Sequence, residues 1–147
     1  MNETVSDEQE RRERNKDTIR HVLTHMRELG DGPEAALEPY YAREVLFEAP
    51  YRKVRKLGID QIHEELRRVA DEFAVMRHVD LEFTDGLDPD ELVLESRAEA
   101  TFRATGETYP QRYVVFFKMK NGRIMTQRQY YNTRVLHLAN DMAPPLA

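Results

Sequence analysis

Apolar residues recur at helical spacing through the first half of the chain and at alternate positions through the second. Ile19, Val22, Leu23, Met26 and Leu29 make one face of a helix that starts near Asp17 and is stopped by Gly30-Asp31-Gly32, because steps of three and four residues return a side chain to the same helix face. Pro33 then opens a second, short helix, PEAALEPYY, at the first-turn position where its missing N–H costs nothing. Residues 44–49 read as a short strand closed by Pro50. Residues 51–57, with four cations in seven positions, read as a connecting loop. The most regular amphipathic stretch is 58–73, with Ile62, Leu66, Val69 and Phe73 on one face and Glu64, Arg67, Arg68 and Asp71 opposite. Asp60 is its expected N-cap, and His63 and Glu65 flank the apolar face at ~100° per residue.

Four strands follow. Residues 77–84 set Val79, Leu81 and Phe83 against His78, Asp80 and Glu82, and residues 92–103 set Leu94, Ala98, Ala100 and Phe102 against Glu95, Arg97, Glu99 and Arg103. Residues 112–120, RYVVFFKMK, are apolar enough to expect cover on both faces. After the Asn121-Gly122 turn, residues 122–133 set Met125, Gln127, Gln129 and Tyr131 against Ile124, Thr126, Arg128 and Tyr130, since side chains alternate along a strand. Neither of those faces is plainly aliphatic, so the strand is expected to border a pocket. The order of elements predicts an α+β fold, a curved antiparallel sheet whose concave face is covered by helices, forming a cone with an apolar cavity. Residues 1–15 are polar, mixed in charge and without an apolar stripe, and read as a disordered or frayed lead-in. Residues 16–139 form the expected single domain and 140–147 a polar tail. The row Val79, Leu81, Phe83 is expected on the convex face, where an exposed apolar stripe would favour a homodimer.

Composition narrows the chemistry. With 40% hydrophobic residues in 147 the chain suits one domain with a real core. The net charge is −5 with acids and bases interspersed, which argues against nucleic acid as partner, because phosphate neutralisation needs clustered cations. No apolar run is long enough for a membrane span or a signal core, so a cytoplasmic protein is expected. There is no cysteine, which removes thiol nucleophiles, disulfides and thiolate metal sites. His21 and His25 lie one helical turn apart without a third ligand nearby in sequence. His78, Asp80 and Glu82 share a strand face, but nothing completes a metal shell, and Arg97 and Arg103 stand in the next strand as charge partners. The run HEELR departs from the zinc motif H-E-x-x-H at Arg67. No metal or cofactor is expected.

The run GRIMTQRQYYNTRVLHLA resembles the final strand and tail of SnoaL-like proteins in the nuclear-transport-factor-2-like (ketosteroid-isomerase-like) superfamily. VLFEAP, residues 45–50, resembles their first strand, and GIDQIHEEL the helix that opens with Gly-x-Asp. The resemblance extends from about Asp17 to Ala139 and is closest to phenazine-biosynthesis A/B proteins and SnoaL-like polyketide cyclases. It implies a cystatin-like α+β barrel and a cofactor-independent enzyme that closes a ring in, isomerises or dehydrates a polyketide-like, largely apolar small molecule, as in antibiotic and other secondary metabolism. A non-catalytic binding protein and an epoxide-opening hydrolase or cyclase remain as alternatives, since this scaffold hosts many functions.

Carried over residue by residue, the family's acid on the last strand falls on Gln129. The base before the first-strand proline falls on Ala49, with Glu48 beside it on the other face. The helix His of the phenazine proteins falls on Glu65. Glu65 is then the candidate proton shuttle, unless it merely pairs with an arginine or reaches solvent. Gln129 and Tyr131 are candidates to orient and polarise a carbonyl, Gln129 being otherwise a satisfied buried amide. Tyr51, His63, Met76, His78, Tyr113 and Met125 are candidate substrate-binding walls.

Overall fold

The computed structural model describes residues 3–132. The strands β1 (Tyr41–Ala49), β2 (Val54–Leu57), β3 (Phe73–Asp85), β4 (Glu91–Phe102), β5 (Arg112–Lys120) and β6 (Arg123–Tyr131) form one curved sheet in the order β2-β1-β6-β5-β4-β3. The last four strands are an antiparallel meander. The expected all-antiparallel sheet is corrected at one seam, where β1 runs parallel to β6. Parallel neighbours need a long crossover, and here everything from residue 50 to residue 122 supplies it. The expected cationic loop is also corrected. Pro50–Arg52 makes a 3-10 turn, Lys53 reverses the chain at φ 55°, and β2 pairs antiparallel with β1 as an edge strand. Its cations suit that place, because charge on an exposed edge discourages pairing with a second sheet.

Three helices cover the concave face: α1 (Val5–Thr24), α2 (Met26–Asp31) and α3 (Ile59–Glu72). The frayed lead-in expected for residues 1–15 is instead helical from Val5. Thr4 and Asp7 close a reciprocal capping box, and the polar residues behind it have tertiary partners. The Asn15 amide donates to the Pro89 carbonyl at 3.0 Å and to Asp90 Oδ1 at 2.9 Å, and Lys16 pairs with Asp85 at 2.7 Å. The short helix expected after Pro33 shrinks to a 3-10 turn, Glu34–Leu37. Gly58 at φ 88°, not Asp60, caps α3, and the Leu57 N–H donates instead to Gln61 Oε1 at 2.7 Å.

Two bulges redistribute the strand faces. Between Val79 and Glu82 the β3–β4 register shifts, with Asp80 at φ 54°. Leu81 and Phe83 thereby join His78 on the concave side, where they pack on the core and α1 sets Lys16 and Arg20 over the Phe83 ring. Two of the three residues of the convex row expected to drive a homodimer are therefore covered by the chain's own helix, and Val79 alone stays on the other face, opposite Arg97. In β6, Met119 pairs with Ile124 and Lys118 with Thr126, leaving Met125 as the extra residue. Strand β5 buries Tyr113, Val115, Phe117 and Met119 but exposes Arg112, Val114 and Lys118, so one face is covered rather than both.

Helices α2 and α3 cross at Gly30, where an added Cβ would lie 2.2 Å from the Leu66 carbonyl oxygen. Backbone cannot yield to a methyl at that distance without the helices separating. Gly30→Ala is expected to lower stability by at least ~2 kcal/mol, read as a lower urea midpoint. An unchanged midpoint would show that the crossing is looser than this.

Candidate active site

A narrow pocket opens between the concave sheet face and the helices; about 60 Å³ of it has room for the centres of water-sized spheres, and the space free of protein atoms reaches about 750 Å³ when the open solvent at its mouth is counted. Its inner end is apolar, formed by Val22, Leu23 and Met26 from the first two helices and by Tyr41 and Phe47 from β1. Helix α3 contributes Ile62, Leu66 and Val69, the stripe that its helical period places on one side. Charged residues gather at the rim: Arg52 from the 3-10 turn before β2, and Glu65, Arg68 and Glu72 from α3.

Six of the nine residues singled out in the sequence line this pocket: Glu65, Gln129, Tyr131, Met76, His78 and Tyr113. The other three lie elsewhere. Tyr51 is 71% exposed and packs edge-on against Tyr130, with ring centroids 5.6 Å apart. His63, on the far flank of α3, meets the Gly32 carbonyl at 2.8 Å through Nε2 and ties down the end of α2. Met125 is displaced by the β6 bulge, which puts Ile124 in the core in its stead.

Glu65 is not a free carboxylate. It accepts from Arg68 Nη2 at 2.6 Å and Nε at 3.3 Å, and the same guanidinium holds Glu72 at 2.5 Å. The flank position read from the helical period is right, and the charge there is engaged by a neighbour one turn on.

The polar groups deeper in the pocket are uncharged. His78 is 1% exposed, with Nδ1 2.7 Å from Ser96 Oγ and with Nε2 lacking any hydrogen-bond partner. Burial pushes its pKa down to about 4, so the imidazole is neutral near pH 7. Its ring centroid lies 4.5 Å from that of Tyr113. Gln111 Nε2 donates to Tyr109 Oη at 3.0 Å. Burial raises the pKa of Tyr113 well above its ordinary value, and burial likewise raises that of Tyr131, against the pull of the Arg52 guanidinium on its hydroxyl. Gln127, 4% exposed, donates through Nε2 to Gln129 Oε1 at 3.2 Å, while its own Oε1 has no partner.

Sequence reasoning missed Ser96, Tyr109, Arg52 and Arg68 as parts of this site. Ser96 occupies an inward position of the alternating β4 pattern and was detectable by parity alone. Tyr109 lies in an aperiodic loop and Arg52 in a cation-rich run, so neither carried a signal. Among the described residues no group of three or more His, Asp or Glu side chains is placed to hold a metal ion, and no helix is long and apolar enough to cross a membrane.

A cone-like α+β fold of this kind is the architecture of nuclear-transport-factor-2-like structures. The chain belongs to the SnoaL-like domain family, whose model matches residues 22–127. Among solved structures it is similar to a phenazine biosynthesis-related protein from Pseudomonas aeruginosa, with 15% identity, coverage of 98% of this chain and 96% of that one, and a TM-score of 0.78. It is also similar to a candidate polyketide cyclase from Xanthomonas campestris pv. campestris, at 19% identity over 88% and 98% of the two chains with a TM-score of 0.74. An NTF2-like protein from Burkholderia xenovorans aligns at 15% identity over 86% and 95%, with a TM-score of 0.69. At these identities the likeness is one of fold. No curated protein matches the sequence.

The neutral, buried His78 makes stability depend on acidity. Between its ordinary pKa of 6.5 and the folded value of about 4, the unfolded chain takes up a proton that the folded chain refuses. Its contribution is therefore complete above that window and is lost as pH falls through it, by about 3 kcal/mol in all. His21, pushed in the same direction by burial and by the neighbouring His25, adds to the same slope. Urea unfolding at a series of pH values should show this loss in the native protein and a shallower one in His78→Gln. Equal slopes would contradict it.

Proposed function

We propose that this chain is a cofactor-independent enzyme of small-molecule metabolism, which closes a ring in, isomerises or dehydrates a polyketide-like, largely apolar intermediate. The observation that carries this reading is the division of the pocket: an apolar interior holding only neutral hydrogen-bonding groups, with every carboxylate and guanidinium at the rim. Such an interior folds a flexible substrate and aligns its reacting ends, and alignment alone can supply ~7–11 kcal/mol in favourable cases. Membership of the SnoaL-like family and the cyclase and isomerase names of similar structures support the same class.

In this reading Gln129 and Tyr131 orient a substrate carbonyl and stabilise charge that develops on its oxygen. Glu65 removes a proton from the carbon beside that carbonyl, leaving an enolate, and returns it at the position where the new bond pattern requires it. Arg68 is shared between Glu65 and Glu72, so it can hold the second carboxylate while the first carries the proton.

One observation favours a second reading. Glu65, the carboxylate proposed here as the base, is tied to Arg68, and the last-strand position where the family resemblance implies an acid is the amide Gln129. A protein that binds its ligand without converting it would look the same. Polycyclic ketone intermediates from the host's own pathway distinguish the two. Glu65→Gln should keep binding while turnover falls ~10²-fold or more. Tight binding by the native protein with no conversion of any intermediate would leave only the binding role.

A further inference from the structure

Two residues that line this pocket each carry a buried polar atom without a partner: His78 Nε2 and Gln127 Oε1. These residues are 1% and 4% exposed. An unsatisfied buried polar atom carries a desolvation cost, and two in one pocket call for a ligand that completes both.

Proton counting identifies what His78 offers. A neutral imidazole carries one ring proton, and Nδ1 is engaged with Ser96 Oγ. If Nδ1–H donated to Ser96, the Ser96 hydroxyl proton would lack an acceptor and Nε2 would be an empty lone pair, leaving two groups unmet. If the Ser96 hydroxyl donates to Nδ1, one group is unmet, and it is an Nε2–H donor. The second arrangement leaves fewer buried groups unsatisfied and is favoured for that reason. An uncharged N–H in apolar surroundings is suited to a carbonyl oxygen, the acceptor whose growing charge it can stabilise without a formal cation.

The other end has a different logic. Gln127 and Gln129 are joined amide to amide, and turning both amides over exchanges the free acceptor for a free donor without breaking the pair. A hydroxyl, being donor and acceptor at once, satisfies either arrangement. The strand registers separate the two points: Gln127 lies beside Phe47 and Phe117, whereas His78 lies beside Ala98. Apolar Leu66 and Met76 line the wall as well, so the body of the ligand is apolar.

We infer that His78, held in one tautomer by Ser96, donates from Nε2 to a substrate carbonyl, and that the pocket takes an uncharged hydroxy-ketone whose hydroxyl sits on the Gln127–Gln129 amides. This rests on the small-molecule reading of the pocket given above and sharpens its substrate class, and it differs from that reading in giving the carbonyl to His78 and leaving Gln129, with Gln127, to hold the hydroxyl. Ser96 acts through His78 and is a positioning residue.

Two measurements test it, and neither uses turnover. The ¹⁵N shifts of the His78 ring near pH 7 should show a protonated Nε2 and a bare Nδ1, and Ser96→Ala should lose that preference. Binding is measured with 7-hydroxy-1-tetralone, with 5,6,7,8-tetrahydro-2-naphthol, which lacks the carbonyl, and with 1-tetralone, which lacks the hydroxyl. The first should bind about tenfold more tightly than either analogue, and Ser96→Ala should weaken the two ketones while leaving the naphthol unchanged. An Nδ1–H tautomer, equal binding of the three compounds, or binding of none overturns the inference. Binding of these probes as expected, with no pathway intermediate converted, overturns the catalytic reading and leaves this one standing.

Discussion

Two of the sheet's four register shifts, one after Val79 in β3 and one at Met125 in β6, decide which side chains beyond them face the helices. Strand side chains alternate strictly, so one extra residue sends everything beyond it to the opposite face. In β3 the shift brings Leu81 and Phe83 round to the side of His78 and gives α1 an apolar seat. In β6 it lets Ile124 enter the core while Gln127, Gln129 and Tyr131 face the pocket. Without these shifts α1 would have no apolar surface to cover at that edge, and either the pocket would lose its amides or the core would lose Ile124.

The distribution of charge follows from the closed geometry. A charge inside would need a partner and full hydrogen bonding to offset its desolvation, and the pocket interior holds none. Its imidazole is kept neutral by burial, its tyrosines are kept protonated, and its ion pairs stand at the rim, where Arg68 is about half exposed. Such an interior distinguishes substrates by shape and by the placing of uncharged donors and acceptors. Carbonyl chemistry through an enolate is compatible with it, because charge appears only transiently and next to fixed donors.

Much of this was legible in the sequence. The apolar stripe of α3 located Glu65 on the pocket's flank, and the alternation of β4 assigned its inward face, whereas the apolar run of β5 hid which of its faces is covered. The resemblance carried by GRIMTQRQYYNT pointed to the right family. What escaped was whatever depends on a single residue's backbone or on a distant partner. A bulge leaves alternation intact on either side, so Met125 looked equivalent to Gln127. The polar start of α1 looked frayed because its partners, Asp85, Pro89 and Asp90, lie far along the chain. Tyr51 and His63 were the right residue types on the wrong side of their elements. The two unpartnered atoms are a property of packing, and no pattern of residue types displays them.

The central claim is that the space between sheet and helices is where a small uncharged molecule binds. Methionine methyl groups report on it directly, because Met26 and Met76 line the pocket while Met119 is buried outside it and Met125 lies on the bulge. With ¹³C-methyl methionine and 7-hydroxy-1-tetralone as ligand, the account predicts saturable shifts of Met26 and Met76, with Met119 and Met125 unmoved. Shifts at Met125 with Met76 silent, or none at any of the four, would contradict it.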